Sequence, residues 1–360
     1  MKKTINIVAT IFLLLLLTNC VDKFIAPDNS PVDGNQIISD TLYIQQTPVW
    51  GGFNRPQDII VGKETFIYVA DTDNDRIVML DLAGHFVGER EIKKPIAIAQ
   101  DFQLNLIVCA EFDTLIEGSN INYSAVYKLN MVDAGHHIEN AELTRILPNT
   151  SFDFLRPDRK FVGVTSFFDN SFYIARKGPS NATLIDPDNS ILIFRKKELS
   201  DGTKIDTLVS RVPLLEPLGT GLMSANNVSS LNSFSGNKYD MILTLIGENS
   251  FKTQVLEYVE TEDFTGYQNK IEPFVTELMT VAKFEQPEGT ALDVYENIFV
   301  ADAAKDSIFK FNSFGDEMES FGGPDVFSSP HAVAYFNKTL YVADTDNNRI
   351  LRFILSTEID

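Results

Sequence analysis

Four positions in this chain carry side chains that could do chemistry in a shared setting. Gln57 follows Pro56, Glu288 follows Pro287 and His331 follows Pro330, each just inside a short apolar run, and Asn226 or Asn227 heads a weaker run of the same kind. If they converge, a carboxylate, an imidazole and amides form an oxygen-rich donor set of the calcium type. Glu288 and an asparagine would then be ligands and His331 a base, the parts of a divalent-metal-dependent hydrolase or lyase. The set is incomplete, because the chain has four histidines and His85, His136 and His137 fall in turns or connecting loops. Without a metal the same groups are polar contacts for a ligand, and they imply no cofactor. No Gly-x-Ser-x-Gly elbow, HExxH helix or phosphate-cradling glycine loop is present, so nucleophilic catalysis has no candidate triad.

The acidic stretch Asp71-Thr72-Asp73-Asn74-Asp75, echoed by Asp344-Thr345-Asp346-Asn347-Asn348, looks like a calcium loop of the EF-hand type. It fails where glycine and a bidentate glutamate are needed, since those places hold Arg76 and Leu82, then Arg349 and Leu355. A structural role fits the spacing: Asp71 and Asp344 end a strand, cap the turn and pair with Arg76 and Arg349. Asp302 has Ser307 in place of the arginine and would have only the turn.

The elements that carry these residues are written three times. Pro56 precedes Asp71 by 15 residues, Pro287 precedes Asp302 by 15 and Pro330 precedes Asp344 by 14, and an isoleucine follows each aspartate by 6. Between them run Ile67-Tyr68-Val69-Ala70-Asp71 and Leu340-Tyr341-Val342-Ala343-Asp344, each followed by Arg-Ile and a further apolar strand. Weaker copies lie between. Leu106 to Glu111 precedes Ala125 to Leu129, Phe172 to Arg176 precedes Ile191 to Phe194, and Met241 to Leu245 precedes Gln254 to Tyr258. Fidelity of this kind indicates stacked supersecondary units. Short apolar strands between Gly, Asn and Asp turns, in a chain with 27 Phe and 11 Tyr, make the body all-β.

The strong copies resemble the NHL repeat, in which each repeat is one four-stranded blade of a β-propeller. The resemblance implies six blades over residues 40–360. The last blade runs out of chain after its third strand, and the segment from Thr41 to Gln46 is available as its outer strand, closing the ring. It also implies a channel whose mouth bears the residue after each starting proline: Gln57, about Ile96, about Val162, Asn226 or Asn227, Glu288 and His331. That mouth is polar on one side and apolar on the other, which suits a ligand of mixed character. Long connections between second and third strands, Phe112 to Ser124 and Lys177 to Ser190, would rise on the same face as recognition loops. Related folds that act as lactone hydrolases or an amidating lyase grip their metals with more acids, asparagines and histidines than this mouth offers.

The N-terminus gives an address. Lys2 and Lys3 precede an apolar run unbroken from Ile11 to Leu17, too short to span a bilayer, and Leu17-Thr18-Asn19-Cys20 resembles the lipobox of bacterial lipoproteins. The expectation is a signal over 1–20 with Cys20 lipidated, a flexible tether over 21–39, and an envelope location, at the outer membrane. Short Asp-Thr-Leu triplets such as Asp113-Thr114-Leu115 resemble an O-glycosylation signal of exported Bacteroidota proteins. Cys109, in an apolar run, reads as a buried inert thiol. Formal net charge is −20, and removing Lys2 and Lys3 with the signal leaves 28 basic against 50 acidic side chains. Such a field repels nucleic acid and anionic lipid, so membrane contact would come through the lipid alone. The leading expectation is a lipid-anchored propeller that recognises an envelope protein, peptide or glycan at its channel mouth.

Overall fold

A computed structural model describes residues 42–183 and 185–358. Cys20, the signal and the tether lie outside the described residues. The body is a six-bladed β-propeller of four-stranded antiparallel sheets. In every blade the chain runs outward from an inner strand lining the channel. The inner strands are Pro56–Val61, Ala97–Gln100, Lys160–Ser166, Val228–Ser233, Pro287–Leu292 and Pro330–Phe336.

Second and third strands are apolar without alternation because both faces of a blade are covered by its neighbours. All five residues of Ile67–Asp71 are buried, as are those of Ile298–Asp302. Outer strands meet solvent and alternate, as Glu317–Gly322 does. Blades are held to each other by apolar packing between sheets and by side chains that reach the next blade's inner edge. Thr72 donates to the Pro95 carbonyl and Thr345 to the Pro56 carbonyl, both at 2.6 Å, the same latch repeated around the ring. Ser166 donates to the Gln100 carbonyl at 2.6 Å and Ser233 to that of Ser166 at 2.8 Å. Blade five needs glycine at position 289, where a Cβ would lie 2.5 Å from the His331 carbonyl oxygen and 2.8 Å from the Ala332 Cα.

Ring closure is as the sequence expects. Tyr43–Gln45 forms the outer strand of blade six, with Tyr43 opposite Leu355 and Gln45 opposite Phe353. Trp50 then exchanges two backbone hydrogen bonds with Ile350. The chain therefore climbs blade six from the face of the turns between first and second strands toward the channel-mouth face.

One expected loop is not a loop. In blade two the second strand, Asn105–Ile116, and the third, Ser119–Asn130, stay paired as far as Ile116 opposite Ser119. The turn is Glu117-Gly118, both at positive φ (53° and 83°), which matches the twist of a two-residue hairpin. Polar residues from Asp113 to Ser124 suggest a loop, but Phe112, Thr114 and Ile116 on one strand, with Ile121 and Tyr123 on the other, have the period of two that keeps a ribbon extended. The segment between Lys177 and Ser190 does connect the second and third strands of blade three.

Candidate functional site

A repeated irregularity builds the channel mouth. In blades one, three, four, five and six the pairing of inner and second strands slips by one residue near its start, at Gln57, Val162, Ser229, Glu288 and His331. A bulge leaves its extra residue unpaired and re-aims its side chain. Ile96, before the inner strand of blade two, completes the ring. Glu288, His331 and Gln57 are neighbours on blades five, six and one, and Ile96 and Val162 make the apolar side on blades two and three.

Blade four departs from the expected set. Asn226 and Asn227 are not at the mouth position; Ser229 is. Blade four has Val228 where blades one, two, five and six have proline, and Asn227 takes the left-handed backbone (φ 55°) that Arg55, Lys94 and Ser329 take just before their prolines. Asparagine tolerates that conformation, which explains its presence. Asn226 instead accepts from the Asn189 side-chain amide at 3.2 Å, and its carbonyl accepts from Asn249 at 3.0 Å. Ser229 donates to the Pro287 carbonyl at 2.6 Å.

The side chains of Gln57 and His331 make no hydrogen bond among the described residues, whereas Glu288 accepts from the Gln286 side chain at 2.6 Å. Burial holds the His331 imidazole below its ordinary pKa against the raising effect of Glu288, so it is neutral at pH 7. Behind the mouth a cavity of about 570 Å³ runs between the inner strands. One carboxyl that sequence reasoning missed lies on its wall. Asp58 accepts the Ile59 amide at 2.8 Å and, across the blade boundary, the Ile98 amide at 2.6 Å. Burial pushes its pKa up to about 7, although those two amides oppose the rise. Its signal was available in the sequence: an aspartate in the inner strand, where other blades place Ala97, Gly163, Ser230, Gly289 and Ala332. Among the described residues no three His, Cys, Asp or Glu side chains converge as metal ligands.

A wall rises beside the apolar half of the mouth, built from four segments bonded to one another. The Tyr123 hydroxyl of the blade-two hairpin donates to the Phe154 carbonyl at 2.7 Å, and Arg145 stacks 4.3 Å from the Phe112 ring. The next segment reaches the long connection of blade three, where Arg159 Nε donates to Asp188 Oδ1 at 2.6 Å and Arg156 to the same oxygen at 3.1 Å. Arg176, which stands where the repeat has its aspartate, donates to Asp186 at 2.7 Å. Burial acts to raise Asp186 and Asp188, but these arginines hold both below the usual carboxylate range. Asn189 then donates to the Pro217 carbonyl at 2.9 Å, joining the fourth segment, which leads into blade four. Despite this bonding the crest is apolar: Leu115, Phe152, Leu155, Ile185, Leu214 and Leu218 are exposed.

The repeat aspartates are fully buried and serve the scaffold. Asp71 accepts from Arg76 Nε at 2.7 Å and from the Asn74 side chain at 2.9 Å, and Asp344 accepts likewise from Arg349 and Asn347. Neither caps the short 3₁₀ turn that follows it. Their second oxygens reach back to the segment before the inner strand, to the Asn54 and Ser328 amides. Asp302 is not limited to its turn: it takes the Glu285 and Gln286 amides at 2.7 and 2.8 Å. Cys109 is buried beside the channel, and burial raises its thiol far above the ordinary range.

Comparison with known proteins bears on fold. The family model of the NHL repeat matches residues 327–353, the last of the three strong copies. No curated protein matches the chain. Among solved structures, a protein of unknown function from Bacteroides thetaiotaomicron superposes with a TM-score of 0.54 at 15% identity, covering 88% of this chain and 72% of that one. A nutrient-binding auxiliary protein from the same organism gives 0.55 at 10% identity, covering 86% and 72%. The calcium-binding protein regucalcin from Agrobacterium tumefaciens gives 0.51 at 10% identity, covering 83% and 90%. These neighbours differ in what they bind, and at such identities the likeness is one of architecture. The chain is a six-bladed β-propeller that carries an NHL repeat in its last blade.

Proposed function

We propose that this propeller is a non-catalytic recognition module, held at the cell envelope by its lipidated Cys20, that binds a protein, peptide or glycan on its channel-mouth face. The observation that carries the reading is the union at one face of a bulge ring with free polar side chains, Gln57 and His331, and a wall whose apolar crest is exposed. Apolar surface rimmed by polar groups, on loops braced by a rigid scaffold, is a recognition surface. Connectivity supports the anchored form. The propeller's first strand begins at the end of blade six opposite that face, so the chain enters the body away from the mouth.

The test is photo-crosslinking in intact cells with a photoreactive residue at Ile185 on the wall or at Glu262 on the opposite face. The reading expects a discrete adduct from position 185 and none from 262, with Cys20→Ser releasing the protein from the membrane fraction. Adducts from 262 alone would reverse the assignment of the binding face.

A further inference from the structure

We infer that the occupant of the mouth face is a basic, apolar polypeptide segment, its aliphatic residues on the wall and one lysine or arginine side chain inside the channel mouth. The inference rests on the reading of this face as the binding face and adds the chemistry of what binds there.

Charge on this face is unevenly satisfied. Many of its cations are engaged with acids: Arg55 with Asp346, Lys94 with Asp73, and Arg156, Arg159 and Arg176 with Asp186 and Asp188. Lys252 and Lys305 donate only to the Glu285 and Lys283 carbonyls, and Lys177 forms no ion pair among the described residues. Its acids are in surplus. Glu216, Glu248 and Glu285 are exposed, and with Glu288 at the rim they form no ion pair among the described residues. A partner must answer that surplus, and the crest of the wall must be covered by apolar groups; only a segment with both does so. An acidic segment would place like charges beside that surplus.

The channel sets where the cation goes. Going in from Glu288, the wall carries Ser229, Asp58 and Thr290, and the lysine that lines the cavity, Lys63, is at the other end with Nζ 4.2 Å from the Phe102 ring. Thr290 is 7% exposed, and its hydroxyl has no partner among the described residues. Inner strands of about six residues span about 20 Å, so the cavity of about 570 Å³ along them has room for an extended side chain entering from the mouth. Asp58 spends one bond per oxygen on a backbone amide and keeps lone pairs for an ammonium or guanidinium. The protein's net charge of −20 raises cation concentration at every face, and the mouth focuses it.

Three labelled probes test the inference by fluorescence anisotropy: acetylated (Lys-Leu)₄, (Glu-Leu)₄ and (Lys-Ser)₄ amides. The lysine–leucine peptide should bind most tightly. Glu288→Gln should weaken it about tenfold and Ile185→Glu by at least that, whereas Glu262→Gln on the opposite face should change it less than roughly twofold. Equal losses from Glu262→Gln and Glu288→Gln, or no binding by any probe, would overturn the inference. Preference for the glutamate–leucine or lysine–serine peptide, still abolished by a charge at Ile185, would overturn the ligand chemistry and leave the binding face intact. Binding indifferent to every mouth-face substitution would overturn both.

Discussion

Asp58 is the residue whose ionisation ties the channel to its surroundings. Its folded pKa of about 7 lies above the unfolded carboxylate value near 3.8, so the folded state binds more protons between those values. The stability it contributes is full below about pH 4 and is lost as pH rises to 7. Urea unfolding at pH 5 and pH 8 should show that fall, and Asp58→Asn should remove the difference while costing about 1 kcal/mol for a lost amide partner. An unchanged slope in Asp58→Asn would mean that another group titrates. Asp71 and Asp344 are instead buried against Arg76 and Arg349. Asp71→Ala strands Arg76 and two further donors, the Asn54 amide and the Asn74 side chain, and should cost roughly 3 kcal/mol, read from the shift in urea midpoint. Gly289→Ala should cost about 1–3 kcal/mol because its Cβ meets fixed backbone of blade six; a neutral result would show that the two inner strands can part.

At the scale of elements, repetition made the scaffold legible and its loss hid the rest. Proline, the Ala-Asp strand end and the isoleucine six residues after it locate Gln57, Glu288 and His331 because those blades keep all three. Blade four keeps only strand hydrophobicity, and without a proline the alignment slips to Asn226 or Asn227 instead of Ser229. Blade three replaces the repeat acid with Arg176 and supplies the opposite charge from Asp186, ten residues later on its own long connection, with the Asp188 backbone carbonyl accepting from Arg176 Nε. That exchange is a long-range swap no local pattern announces, and it converts an expected loop into a braced wall. Asp188→Ala should therefore uncouple the wall before it unfolds the propeller: Arg159, 5% exposed, would lose the partner of its Nε, and Arg156 would lose the same oxygen. Limited proteolysis should cut between residues 178 and 189 in Asp188→Ala while blade fragments stay intact. Resistance equal to that of the unsubstituted protein would mean that the apolar contacts of the wall suffice to hold it.

The whole molecule is a closed ring with a large negative field, and both properties have consequences. Closure depends on a segment far in sequence from the blade it completes, so a chain beginning at Gly51 loses Tyr43–Gln45 and Trp50 and leaves Arg349–Leu355 as a bare edge. Such a chain should unfold at lower urea and self-associate through that edge, whereas one beginning at Asp40 should remain monomeric by sedimentation. The field accelerates the approach of cationic partners, and salt screens it. The most direct test of the mouth face as the binding face is hydrogen exchange across the folded body with and without acetylated (Lys-Leu)₄ amide. The account predicts slower exchange in the hairpin around Glu117, in residues 152–156 and 178–189, and at the bulges beside Glu288 and His331. Protection centred instead on the opposite turns, around residues 199–203 and 260–264, would contradict it.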